Sequence, residues 1–155
     1  MRLIGLVVIV ALSLVLSPHV VEGQAPGKVA RVGWINTASP GSLDEAFRLG
    51  IRQLGYVEGQ NITIEWRWVE GRFDRLPSVA AGLANLGVDI IVAGGTPAAL
   101  VARKTTGTIP IVMVVPADPV AAGLVTSLGR PGGNITGLTR ISPRASRLRK
   151  NPSFD

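Results

Sequence analysis

Hydroxyl and carboxylate side chains are concentrated in three short loops, each of which follows an apolar segment and precedes a helical pattern. The loops occupy residues 36–41, 94–97 and 116–119. Hydroxyls and the free N–H groups at helix starts bind anionic oxygens, and a carboxylate pairs with an ammonium group. This combination suits an amino-acid-like zwitterion. The candidate ligand-binding residues are Thr37, Ser39, Gly95, Thr96, Pro97 and Asp118.

Two of these residues also have a purely structural interpretation. Thr96 and Asp118 are residue types that cap helix N-termini, and each is followed by a proline that suits the first helical position. For Thr96 the capping role and the ligand-binding role are compatible. For Asp118 both interpretations stay open, since the carboxylate either caps a helix or faces an ammonium group.

The composition excludes several kinds of chemistry. The chain of 155 residues has no Cys and a single histidine, His19. His19 lies within residues 1–23, which have the pattern of a signal peptide described below. Thiolate chemistry is therefore excluded, and the mature chain has no imidazole for a Ser/His/Asp triad or a zinc site. Asp118 has no acidic neighbour in sequence for paired acid/base work. We expect neither an enzyme nor a metal site.

Nucleotide and nucleic-acid binding are also disfavoured. Gly94 and Gly95 lack the third, spaced glycine of a dinucleotide fingerprint, and no Walker-type phosphate loop occurs in the chain. The net charge of +6 comes mostly from residues 140–155, which hold five basic residues against one acidic residue. Without aromatic residues interleaved among these charges, a nucleic-acid surface is not indicated. No cofactor is expected.

The segment Val88–Leu100 is the centre of the predicted architecture. Its apolar, β-branched first half is typical of a strand buried on both faces of a parallel sheet. Gly94 and Gly95 then allow a tight turn or the close approach of a ligand. Thr96 is predicted to cap the helix that follows, with Pro97 at its first position.

The rest of the chain repeats this alternation. Strands are predicted at 28–36, 61–69, 88–93, 109–115 and 134–139. Helices are predicted at 42–54, from Asp74 or Arg75 to Leu86, from Pro97 to about Lys104, and at 120–128. Ser42 and Glu45 match a capping box, while Gly55 and Gly87 are placed to end helices. Trp66 and Trp68 lie in the partly wet second strand, where core packing is favoured over a stacking platform. The order predicts an α/β three-layer sandwich with a parallel five-stranded sheet covered on both faces.

Both ends of the chain differ from this core. Residues 1–23 have a basic start, an apolar run and a Ser-Pro break, as in a signal peptide cleaved after Gly23. Cleavage after Ala25 and an uncleaved membrane anchor are the alternatives. Residues 140–155 are basic and aperiodic and are predicted to be disordered. Residues 24–139 are left as the folded domain.

The motifs LGYVEGQN, GTPAA, DPV and RPGGNITG, in this order within 45–139, carry a family resemblance. The sequence resembles the N-terminal lobe of bacterial ABC-transporter substrate-binding proteins of the tryptophan/tyrosine type. The resemblance implies a type I periplasmic-binding fold, in which two lobes close on a small solute and present it to a membrane permease. By matching position, the ligand-facing loops would be those of Thr37, Ser39, Thr96 and Asp118.

The resemblance ends near Arg140, where the chain should cross to a second lobe, and the tail has the composition expected of a shifted reading frame. We therefore expect a truncated or frameshifted product. The predicted function is a secreted, periplasmic solute-binding component of an ABC uptake system for an amino-acid-like solute. The alternative is an extracytoplasmic sensor or protein-interaction domain on the same fold.

Overall fold

A parallel five-stranded sheet forms the middle of the molecule, in a computed structural model that describes residues 29–114 and 116–139. All neighbouring strands are parallel, and the spatial order is β2-β1-β3-β4-β5. The strands are β1 (Ala30–Asn36), β2 (Ile62–Trp68), β3 (Ile90–Gly94), β4 (Ile111–Val114) and β5 (Ile135–Leu138). The predicted sheet is confirmed, with β2 at one edge.

Helices lie on both sides of this sheet, and they form the outer layers of the predicted three-layer sandwich. They are α1 (Ser42–Gln53), α2 (Leu76–Asn85) and α3 (Thr96–Thr105), and a short 3-10 turn, Phe73–Arg75, leads into α2. Gly55 and Gly87 adopt positive φ just beyond α1 and α2, as predicted for residues that end helices.

Alternation along each strand divides the apolar side chains into two clusters. Val32 and Trp34 of β1 pack in the cluster that contains the inward side of α1. Ile35 of β1 belongs to the larger cluster on the opposite face, together with residues of α2 and α3. Burial of both faces explains why β3 is continuously apolar and why Val32, Trp34 and Ile35 are nearly consecutive in β1.

The predicted helix at 120–128 is wrong, because the chain forms only a single turn there. Asp118 Oδ1 accepts the N–H groups of Val120 and Ala121, both at 3.1 Å, so the predicted cap is present. Gly123 then adopts φ +68°, and the Leu124 N–H bonds back to the Pro119 carbonyl at 2.8 Å. This is the pattern that ends helices at a left-handed glycine, and here it acts after one turn.

Two predicted helix starts are shifted by one residue. The N-cap of α1 is Gly41, whose N–H donates to Asp44 Oδ2 at 2.6 Å, so the Ser42–Glu45 capping box is wrong. The N-cap of α3 is Gly95, which places Thr96 first in the helix and Pro97 second. In both cases a glycine takes the extended or positive-φ cap geometry, and the polar residue that was expected to cap follows it.

The face that carries α1 is covered unevenly. The helical residues of that cluster all come from α1, and they pack beside Val32, Trp34 and Trp66. Val112 and Val114 on β4 are only half-buried on this face, and Leu138 on β5 is 77% exposed. Over β4 and β5, the prediction of a sheet covered on both faces does not hold within 29–114 and 116–139.

The predicted signal peptide at 1–23 and the basic tail at 140–155 lie outside the described residues. Within the described part, none of the helices has the length and apolar character needed to cross a membrane.

Gly33 provides a test of how closely α2 approaches the sheet. A Cβ added to Gly33 would lie 2.9 Å from Leu83 Cδ1, a side chain that is fully buried. Gly33→Ala should therefore destabilise the fold by about 1–3 kcal/mol through overpacking, measured by urea unfolding. Combining it with Leu83→Ala should give less than the sum of the two single losses.

Gly50→Ala is the matched control, because Gly50 lies in α1 with open space around its Cα. This substitution should stabilise the protein by about 0.5–1 kcal/mol. Equal effects of the Gly33 and Gly50 substitutions would contradict the close packing of α2 on β1.

Candidate ligand-binding edge

The three loops predicted from the sequence all lie at the carboxyl ends of the strands, which we call the carboxyl edge: residues 36–41, 94–97 and 116–119. Adjacent loops are in contact. The Thr96 hydroxyl accepts the Ala117 N–H at 3.0 Å, and the Gly95 N–H donates to the Val114 carbonyl at 3.0 Å. The edge is therefore one joined surface, made by the ends of β1, β3 and β4.

Gly95 and Thr37 make the joint between the first two loops. Gly95 has φ +88° and ψ 160°, a region that is open essentially to glycine alone. A Cβ at this position would also lie 3.3 Å from Thr37 Oγ1. Both the backbone conformation and the available space thus require glycine where α3 begins.

The hydroxyls of Thr37 and Ser39 are available to a ligand. Thr37 is half-buried and Ser39 is exposed, and neither hydroxyl forms a hydrogen bond within the described part of the chain. The Thr37 carbonyl is used instead, since it accepts the Gly71 N–H at 2.9 Å. The backbone of this loop is fixed while its side-chain donors remain unused.

Thr96, Pro97 and Asp118 have more structural roles than the sequence indicated. The Thr96 hydroxyl links α3 to the third loop, and Pro97 is exposed in the first turn of α3. Asp118 is half-buried and its Oδ1 caps the turn at 119–122, which supports the structural interpretation of this residue. Asp118 is nevertheless the only ionisable side chain in the three loops.

Asn36 is a residue of this edge that the sequence pattern did not single out. It ends β1, pairs in register with Gly94 on one side and Trp68 on the other, and is 6% exposed. Its Oδ1 accepts the Ala38 N–H at 3.2 Å. Asn36 lies where the predicted strand (28–36) meets the first loop (36–41), and nothing local in the sequence shows that its side chain is buried.

An aromatic cluster supports the edge from the side of β2. Trp66 packs against Trp34 and Phe47, with ring centroids 5.3 and 6.2 Å away, which confirms the core interpretation for Trp66. Trp68 stacks on Trp66 at 5.6 Å with an interplanar angle of 4°. The Trp68 indole N–H donates to Asp44 Oδ1 at 3.2 Å, so Trp68 ties the end of β2 to the first turn of α1.

The geometry provides groups that can hydrogen-bond to a polar solute. The carboxyl edge offers hydroxyls, backbone N–H groups at the starts of α1 and α3, and one carboxylate. Among residues 29–114 and 116–139, no three His, Cys, Asp or Glu side chains lie close enough together to hold a metal ion.

Comparisons with known proteins identify the family. The sequence model of the family described as ABC transporter substrate binding protein matches residues 31–149, and so continues past Thr139. A curated relative, a tyrosine-binding protein of Clostridioides difficile, is 40% identical over 101 residues. That alignment covers 63% of this chain and 29% of the relative, so the chain spans less than a third of the relative's length.

Three solved structures share the fold at 31% identity. A domain from Streptococcus pneumonia, solved in complex with L-Trp, has a TM-score of 0.67, and the match covers 72% of this chain and 39% of that one. A conserved domain protein from Vibrio cholerae has a TM-score of 0.72. A substrate binding protein with adhesive properties from Clostridium difficile, in its ligand-free open form, has a TM-score of 0.70. Each of the last two matches covers 79% of this chain and 43% of the other.

The partial coverage of these longer chains fits a single lobe of a type I periplasmic-binding fold. The family match covers most of the chain, and the five-stranded parallel sheet agrees with it. The chain therefore belongs to the family of ABC transporter substrate binding proteins.

Proposed function

We propose that this chain is the solute-binding component of an ABC uptake system, and that its solute is an aromatic amino acid or a close analogue. The observation that carries the proposal is the joined carboxyl edge, where the loops after β1, β3 and β4 meet and the unused Thr37 hydroxyl lies beside the start of α3. The named relative binds tyrosine and one structural neighbour holds L-Trp, which supports the aromatic class.

The solute carboxylate is assigned to the start of α3 and the hydroxyls beside it. The first N–H groups of a helix have no intrahelical acceptor, and the helix dipole favours negative charge at this end. The Thr37 hydroxyl lies next to Gly95 at this position, and Ser39 is in the same loop. A carboxylate placed here replaces water on donors that the fold already holds in place.

The solute ammonium group is assigned to Asp118. This residue supplies the negative charge of the three loops, and its carboxylate is kept in position by the N–H groups of Val120 and Ala121. A capping carboxylate can still receive a further charged donor, because each carboxylate has several acceptor positions. The capping and binding roles of Asp118 are then compatible.

Location and partners follow from the same proposal. Residues 1–23 would direct export to the periplasm, and the loaded protein would deliver its solute to a membrane permease. The role is binding without turnover, in agreement with the family, whose members are substrate-binding proteins. A two-lobed protein contacts its solute from both sides, so we expect a single lobe to bind weakly.

Titration with amino acids, followed by two-dimensional NMR of the backbone amides, tests the proposal. L-Trp and L-Tyr should shift the amide resonances of the non-proline residues in 36–41, 94–97 and 116–119. Tryptamine, which lacks the carboxylate, and indole-3-propionate, which lacks the ammonium group, should both bind more weakly. Shifts confined to the opposite ends of the strands, or no shifts at all, would overturn the assignment.

Substitution of Gly95 should damage both the fold and solute binding. Gly95→Ala forces a Cβ into the space beside Thr37 Oγ1 and a side chain onto a backbone with φ +88°. We expect a loss of about 1–3 kcal/mol in the free energy of unfolding, measured with urea, and weaker L-Trp binding.

Gly107→Ala is the control for that substitution, because a Cβ added to Gly107 would have no atom within 4 Å and the φ of this residue is not positive. It should change the free energy of unfolding by less than about 0.5 kcal/mol and leave binding unchanged. Wild-type stability and binding in Gly95→Ala would show that the turn tolerates a side chain.

Export makes a separate prediction. When the whole chain is produced in a bacterium with a periplasm, mass spectrometry of the periplasmic fraction should detect a protein beginning at Gln24. A charged residue in the apolar run, as in Val8→Asp, should retain the protein in the cytoplasm. Recovery of the uncleaved chain in the membrane fraction would favour an anchor instead.

A further inference from the structure

Asn36 has an unused hydrogen-bond donor in a nearly buried position. The residue is 6% exposed and ends β1, between Trp68 and Gly94. Its Oδ1 is occupied by the Ala38 N–H, whereas its Nδ2 group donates to no acceptor in residues 29–114 and 116–139. Nδ2 is not among the fully enclosed polar atoms of the described chain that lack a partner, so it keeps some contact with solvent. Nearly buried amides usually have their donors hydrogen-bonded, because an unpaired buried donor costs free energy, so this exception needs a physical reason.

The other asparagines of the described chain do not share this property. Asn61 Nδ2 donates to the Gly55 carbonyl at 2.9 Å, and Asn134 Nδ2 donates to the Ile109 carbonyl at 2.7 Å. Asn85, at the end of α2, is exposed to water. Asn36 therefore differs from each of these in combining burial of the residue with an unused donor.

The orientation of the Asn36 amide is set by its neighbours. A flip of the amide would place Nδ2 against the Ala38 N–H, where two donors would face each other, so Oδ1 must remain there. The side chain also lies close to the turn that begins α3, since a Cβ on Gly94 would be 3.1 Å from Asn36 Oδ1. The Asn36 amide that carries the unused donor is thus held at the carboxyl edge, against Gly94, which directly precedes the N-cap of α3.

This contact also explains why a glycine occupies position 94. Its φ is not positive, so glycine is not required at this position by backbone conformation. Space favours glycine here instead, because a Cβ would lie 3.1 Å from Asn36 Oδ1, closer than ordinary van der Waals contact. The Gly94–Gly95 pair therefore serves two purposes: Gly94 makes room for Asn36, and Gly95 makes the turn.

We propose that Asn36 is a solute-binding residue whose Nδ2 donates a hydrogen bond to the solute carboxylate, next to the N–H groups at the start of α3. The inference rests on the proposed function and adds to it a residue that determines specificity for the carboxylate. A solute without a carboxylate would exclude water from Asn36 Nδ2 and leave this donor unpaired. Such a solute should therefore bind less well.

The side-chain NH₂ resonances of Asn36 in the wild-type chain give a direct test. They are assigned by their loss in Asn36→Asp and followed during titration with L-Trp. The Asn36 pair should shift with the backbone amides of residues 94–96. The pairs of Asn61 and Asn134, whose donors are already used, should not move.

Substitution of Asn36, followed by measurement of solute affinity, gives a quantitative test. Asn36→Asp keeps the acceptor for the Ala38 N–H but replaces the donor with a second, negatively charged oxygen. L-Trp affinity should fall by at least about tenfold, while the affinity for tryptamine should not fall. Asn61→Asp is the matched control and should keep wild-type affinity for both compounds, with thermal unfolding recorded for each variant.

The outcomes separate the inference from the proposed function. If L-Trp shifts the carboxyl edge while the Asn36 NH₂ pair stays fixed, or if Asn36→Asp retains wild-type affinity, the role of Asn36 is overturned and the proposed function stands. If L-Trp and L-Tyr produce no response in the wild-type chain, both are overturned.

Discussion

The close approach of two backbone segments, Asn36–Thr37 at the end of β1 and Gly94–Gly95 at the end of β3, is the constraint on which the carboxyl edge depends. Cβ atoms on the two glycines would lie 3.1 Å from Asn36 Oδ1 and 3.3 Å from Thr37 Oγ1. Without side chains at these positions, α3 can start directly against the first loop. The helix-start N–H groups and the polar side chains of that loop then share one surface.

The sequence predicts the sheet well because burial on both faces leaves little choice of residue. The apolar runs at 90–94 and 111–114 could only be buried strands, and Gly55 and Gly87 end their helices as expected. The prediction fails after Asp118 because apolar residues continue past it, while Gly123 stops the helix at φ +68°. The spacing of apolar residues predicts which face a segment would bury if it were helical. It does not predict the length of the helix, which a single left-handed glycine can end.

The site was predictable in its location and less so in its details. Strand ends in a parallel sheet meet at one edge, so Thr37, Thr96 and Asp118 could be placed together from their positions in the chain. The contacts of Thr96 with Ala117 and of Trp68 with Asp44 join residues 21 and 24 positions apart, and no local pattern encodes them. Asn36 was overlooked for a related reason: a polar residue that ends a strand is indistinguishable in sequence from the first residue of a loop.

A binding edge must keep donors unpaired until the solute arrives, and this requirement conflicts with stability. The fold limits the conflict by fixing everything around the unused groups. The Thr37 carbonyl accepts the Gly71 N–H, Asn36 Oδ1 accepts the Ala38 N–H, and Thr96 is held by Ala117. The unused donors then lose little further freedom on binding, so the hydrogen bonds they form are offset by a small entropy cost. Under the proposed function, an edge of this kind favours solutes that satisfy every donor, and it would select an amino acid by its carboxylate before its side chain is tested.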